Sequence, residues 1–248
     1  MNAWWERPDY PRSSAYDPEW LLSLDMGPNP LWLLEDLLSD TAISPGARVL
    51  DLGSGLGATS VFLAREYGAE VWATDLWVSE DAAAKVVADA GVEDRVHVVN
   101  ADVRALPYEN DQFDAIVSID SWEYFGTDDR LLPMLLSVLR PGGVIGIATP
   151  CLREEFASYD DCPAHVRDLV GWEAAAWHST AWWRTQWERT GLVDVTSCRV
   201  QESGWSDWLT WAQALDEHDP GSQRAVLDML EADRGEHLSF AMVTAVKR

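Results

Sequence analysis

The chain is 248 residues long and 47% hydrophobic, enough to fill the core of one α/β domain without calling for a second. Against 18 basic residues stand 42 acidic ones, a net charge of −24. Such a surface repels phosphate backbones and anionic bilayers, so nucleic acid and membranes are poor partners, and the acidity serves either solubility or the recruitment of a cationic substrate.

Residues 1–46 read as an N-terminal helical cap. Apolar positions at Trp20, Leu21 and Leu24, then at Leu31, Leu34, Leu37 and Leu38, suit two helices within 17–40, broken at Gly27-Pro28-Asn29-Pro30. Residues 49–57, V-L-D-L-G-S-G-L-G, are a strand feeding a turn in which Gly53, Gly55 and Gly57 let the backbone lie close against a ligand. Asp51 would repel a pyrophosphate at that turn and would suit a cation instead. Crossover helices over 59–67, 80–90 and 128–139 separate further apolar strands: 71–75, ending in Asp75; a third within 96–102, followed by the acid Asp102; 113–120, ending in Asp120; and 144–148, after a Leu139-Arg140-Pro141-Gly142-Gly143 turn. Asp75 stands about 20 residues beyond the first glycines, where a ribose-binding carboxylate belongs. A helix over 179–190, strand six over 193–200 and a closing strand over 238–246 complete the periodic elements.

Alternation of strands and helices implies a doubly wound, mostly parallel seven-stranded sheet with helices on both faces. The D-x-G-x-G-x-G of residues 51–57 resembles motif I of the class I S-adenosylmethionine-dependent methyltransferases, and F-D-x-I at 113–116 and L-R-P-G-G at 139–143 are similar to elements of that family in the same order. The nearest likeness is a bacterial small-molecule branch with a strand-four ending like I-D-S-W-E-Y-F-G. The resemblance implies a cofactor-binding core over 47–150 and substrate-side segments with the last two strands over 151–248. Strand seven would insert antiparallel beside strand six at the sheet edge. It further implies that Asp51, Gly53, Ser54, Gly55 and Gly57 surround S-adenosylmethionine, with Asp75 and Leu76 at the ribose, Asp102 and Val103 at the adenine, and Asp120 at the end of strand four.

The acceptor side falls on the residues after strand four and on two Trp-rich insertions, after strands five and six. Eight of the fifteen tryptophans lie between Trp172 and Trp211, as core filler or as walls of a pocket for an aromatic or cationic acceptor. Glu123, Tyr124 and His178 are the candidate catalytic residues, as a base is needed where the acceptor sheds a proton. Trp122, Trp182, Trp183 and Asn29 are candidate substrate contacts. His97, His165, His218 and His237 show no ligand spacing, and Cys151, Cys162 and Cys198 are too scattered for a disulfide framework, so no metal is expected. Reduced thiols, strand-length apolar runs and the absence of a leader pattern at residues 1–8 point to the cytoplasm. The expected activity is methyl transfer to a small molecule. Cyclisation or cyclopropanation with the same cofactor is the alternative within the fold; a NAD-dependent oxidoreductase, disfavoured by Asp51 and Asp102, and a non-catalytic binding protein are the alternatives outside it. Acceptor identity and oligomeric state stay open.

Overall fold

The computed structural model describes residues 4–24 and 27–248. Seven strands, β1 (Arg48–Leu52), β2 (Glu70–Asp75), β3 (Val96–Asn100), β4 (Phe113–Ile119), β5 (Leu139–Leu152), β6 (Val193–Val200) and β7 (Leu238–Lys247), form one sheet in the order β3-β2-β1-β4-β5-β7-β6. β1 to β5 pair in parallel, and β7 runs antiparallel to both β5 and β6. Strand order reverses between β1 and β4, the kind of switch point at which open α/β sheets bind ligands.

The helices are α1 (Pro18–Leu22), α2 (Pro30–Leu37), α3 (Ala58–Glu66), α4 (Glu80–Asp89), α5 (Trp122–Phe125), α6 (Leu131–Val138), α7 (Ala164–Val170), α8 (Thr180–Glu188), α9 (Gly204–His218) and α10 (Arg224–Asp233). Local chemistry starts the two short N-terminal ones. Asp17 accepts a hydrogen bond from Glu19 N ahead of Pro18, and Asn29 accepts from Leu31 N and Trp32 N ahead of Pro30. A side-chain cap plus a proline with preset φ favours a helix start at both places.

Strand alternation sends side chains into two cores. Val49 enters the first with Leu34 of α2, Phe62 of α3 and Trp211 of α9; Leu50 and Leu52 enter the second with Trp122 of α5, Leu135 of α6 and Trp183 of α8. Helices therefore cover both faces, and the central strand β4, buried at every position but Asp114, is largely apolar, as two-sided burial requires. Among the described residues, no helix is long and apolar enough to cross a membrane.

Three features differ from the sequence reading. The L-R-P-G-G turn is absorbed into β5: Phe113 pairs with Leu139 and Ala115 with Val144, so residues 140–143 loop out of the ladder, with Gly142 at φ +72°. β5 also continues past Pro150 to Leu152, because β7 pairs with it along that whole length. Finally, β7 does insert antiparallel beside β6, but it lies between β5 and β6, which makes β6 the edge strand. Hydrogen bonding on both sides satisfies β7, whose residues 238–245 are all buried.

Candidate active site

After β1 the chain turns through Gly53 (φ +69°), Gly55 (φ +54°) and Gly57 (φ +93°) into α3. At Gly53 packing adds a second constraint, since a Cβ would stand 2.3 Å from Ser121 Oγ. That hydroxyl is itself held, 3.0 Å from Leu52 O and 2.7 Å from Ser118 Oγ. Gly53 N donates to Thr74 O at 2.8 Å and Gly55 N to Asp75 Oδ2 at 2.9 Å, tying the loop to β2. The other oxygen of Asp75 accepts from Trp77 N at 2.7 Å and Val78 N at 2.9 Å. Three backbone donors thus fix one carboxylate, which still has acceptor capacity to spare.

Two adjoining clefts open here, both lined by Gly53, Asp75, Trp77, Ser121 and Tyr124. The larger, about 770 Å³, adds Ser54, Asp120 and an apolar wall of Leu21, Leu24, Pro28 and Trp211. The smaller, about 500 Å³, extends past β3 to Leu76, Asp102, Val103 and Phe125. Trp77 is 68% exposed and meets Tyr124 edge-on at 4.9 Å, where the clefts join. Partial burial pushes the Tyr124 phenol above its ordinary range, and the charges of Glu123 and Asp120 add to the shift. Asp102 accepts from Arg104 N at 2.8 Å, which orients its carboxylate.

Asp120 holds φ +50°, a left-handed conformation uncommon outside glycine. Gly27 lies so close that a Cβ on it would fall 2.3 Å from Asp120 Oδ2. On its other side, Trp211 Nε1 donates to Gly27 O at 2.8 Å. Gly27 is therefore held at the larger cleft by α9 and packed against the residue that follows β4.

Other residues singled out from the sequence stand elsewhere. Asp51 is buried beneath the glycine loop and on the wall of neither cleft; its Oδ2 accepts from Thr59 Oγ1 and Ser60 Oγ, both at 2.6 Å, so it fastens α3 to β1. Burial outweighs those bonds and pushes its carboxyl up to about 6. Gly57 caps α3 rather than lining a cleft. Glu123 is only 8% exposed and turns toward β5, accepting from Thr149 Oγ1 at 2.9 Å; burial first, and the charge of Glu173 second, push it up to about 7. Trp122 and Trp183 are buried in the second core. His178 stacks on Trp182 at 3.6 Å and bonds Glu155 at 3.0 Å, and neither ring lines a cleft. Asn29 caps α2 beside a separate small cavity with Trp32 and Gln201. Of the expected catalytic residues, only Tyr124 reaches the clefts. Phe125 and Trp211 join it: Trp211 belongs to the every-third-residue face of Trp205, Trp208 and Trp211, whereas no spacing marked Phe125.

A family model described as a methyltransferase domain matches residues 49–143, from β1 to the bulge of β5. That stretch is similar to a methyltransferase domain, and it lies within the seven-stranded sheet described above. Over 122 residues it is 36% identical to the methyltransferase GfsG of Streptomyces halstedii, covering 49% of this chain and 44% of that protein. Over 137 residues it is 37% identical to the demethylmenaquinone methyltransferase of Clavibacter sepedonicus, covering 54% and 53%. The chain spans about half the length, or less, of these and the other leading curated relatives. The crystal structure of a SAM-dependent methyltransferase from Geobacter sulfurreducens in complex with S-adenosyl-L-homocysteine shares the fold, with a TM-score of 0.62 over 96% of both chains at 21% identity.

Proposed function

We propose that this protein binds S-adenosylmethionine across the two clefts and transfers its methyl group to a small-molecule acceptor. The observation that carries the reading is the junction itself: a glycine turn with no room for a Cβ at Gly53, flanked by Asp75 at the end of β2 and by Asp102 and Asp120, which follow β3 and β4. These residues fit the cofactor's chemistry. Asp75 and Asp102 offer acceptors to ribose hydroxyls and an adenine amine, with Leu76, Val103 and Phe125 as apolar walls for the base, and the acidic larger cleft suits a cationic end. When bound, the cofactor supplies an electrophilic methyl group on a sulfonium.

The chain's own residues hold and orient. Tyr124 and Trp77 close the junction against water, while Leu21, Leu24 and Trp211 wall the larger cleft against an apolar or aromatic acceptor. Asp120 is the carboxylate on that wall placed to accept a proton from an acceptor hydroxyl or amine. Glu123, one turn away and buried, supports α5 instead. This reading assigns the protein to the cytoplasm, consistent with its three free thiols.

Incubation with a metabolite extract and methyl-labelled cofactor tests the reading, the expected result being a labelled product. An unlabelled, mass-neutral product would favour cyclisation. Calorimetry with S-adenosylhomocysteine should show Asp75→Ala and Asp102→Ala binding roughly tenfold or more weakly, the loss of a charged hydrogen-bond acceptor. Unchanged affinity in both variants would refute the cofactor assignment. Asp120→Asn should lower turnover about 100-fold, well beyond any loss of cofactor affinity, if it takes the proton.

A further inference from the structure

We propose that His165, Asp233 and His237 bind one divalent transition-metal ion of zinc-like preference, outside the methyl-transfer site. His165 comes from α7, Asp233 ends α10, and His237 immediately precedes β7. His165 Nε2 stands 2.9 Å and His237 Nδ1 3.2 Å from the same oxygen, Asp233 Oδ1, and all three donor atoms lie within 4.8 Å of one another. Tetrahedral zinc, at about 2.0–2.2 Å from each donor, places its donors roughly 3.3 Å apart. Two of the three separations are close to that value, so a small approach of the two rings would complete a triangular face.

The carboxylate is prepared for such a role. Asp233 is 1% exposed, and its Oδ2 accepts from His237 N at 3.2 Å and Leu238 N at 3.1 Å. That leaves Oδ1 as its outward donor, oriented by backbone bonds as outer-shell contacts orient metal ligands. The His237 side chain is 46% exposed, which leaves an approach for the ion and a water as fourth ligand. Two imidazoles and one carboxylate favour zinc over calcium or magnesium, which demand oxygen-rich shells. The net charge of −24 raises the local concentration of any cation.

Asp233 and His237 stand four residues apart, but the third ligand, His165, lies 68 residues before Asp233, so the sequence does not announce the group. An ion here would clamp the insertion after β5 to the α10–β7 corner. None of the three residues lines either cleft.

The test uses the whole chain, stripped with a chelator and titrated with Zn²⁺ alone by calorimetry, with Co²⁺ as the spectroscopic probe. Expected are one ion per chain, the visible bands of tetrahedral cobalt and a higher melting temperature with metal. His165→Ala and His237→Ala should each weaken binding by about 100-fold, whereas His97→Ala, at an exposed histidine paired with Glu70, should leave it unchanged. Should either alanine variant misfold by circular dichroism, His165→Gln or His237→Gln takes its place. Absence of stoichiometric uptake, or uptake preserved when His165 and His237 are each replaced, would overturn the proposal and leave the cluster as a hydrogen-bonded corner.

Discussion

Helices α8 and α9 are both rich in tryptophan, yet they serve different parts of the molecule. α8 turns Trp183 and Trp187 into the second core, both fully buried, and stacks Trp182 on His178 at its start. α9 lies on the opposite face, where Trp208 packs on Phe240 and Trp211 both lines the larger cleft and holds the Gly27 carbonyl. The N-terminal segment reinforces that placement: Trp4, Trp5 and Trp32 all lie within 6.3 Å of one another or of Trp211, ring centre to ring centre. Buried Asp207 on α9 accepts from Arg7 and from Tyr10 Oη. An indole becomes part of a site when its helix ends up over the carboxyl ends of the strands, and core filler otherwise.

The sharpest test of this contrast is Trp183→Ala, which should cost about 3–5 kcal/mol of stability through the cavity it leaves. Chemical denaturation measures that loss, and S-adenosylhomocysteine affinity should be unchanged under conditions where the variant stays folded. A variant that keeps its stability and loses affinity would reverse the roles assigned to the two helices.

A smaller effect is expected between the two regions, at α5, where Tyr124 faces the clefts and Glu123 turns inward. The Glu123 carboxyl is raised by burial to about 7, above the ordinary glutamate value of 4.5. The native state thus binds the proton more tightly than the unfolded chain, so the stabilisation is fully present below about 4.5 and is lost as pH rises through about 7. Glu123→Gln should therefore flatten the decline in stability between those pH values and raise stability at pH 8 by up to about 3 kcal/mol. A melting-temperature profile against pH checks it; an unaltered slope would show that Glu123 is not the titrating group.

Trp211→Phe keeps most of the ring and removes the bond to Gly27, worth about 1 kcal/mol. Its stability loss should be the least of these, but KM for the acceptor should rise several-fold as the turn over the larger cleft loosens. The weakest change is expected from His178→Ala, with turnover within about twofold of the parent, because the ring is engaged with Trp182 and Glu155 and lines no cleft. A fall of 100-fold would return His178 to the acceptor side and require α8 to move.

Some elements could be read because their causes are local. Asp17 with Pro18 and Asn29 with Pro30 start helices through bonds to the next few residues, and Gly53 to Gly57 carry backbone angles that side chains disfavour. Strand periodicity likewise marked β1 to β4. The bulge at residues 140–143 was read as a free turn because whether Leu139 joins the ladder depends on Phe113, its partner 26 residues away. β7 between β5 and β6 is equally a matter of pairing rather than of its own residues.

The sequence by itself determined the parallel core, the glycine turn and the carboxylates that follow β2, β3 and β4, because strand, turn and acid are contiguous there. Tertiary structure decided which way neighbours on a short helix turn, so that Tyr124 faces the clefts and Glu123 packs on Thr149. It also decided that Trp211, not Trp183, stands at the site, and that His165 meets Asp233 and His237. Those outcomes depend on how distant segments dock on the two faces of the sheet, and the area each buries is indifferent to which indole or imidazole ends beside a cleft.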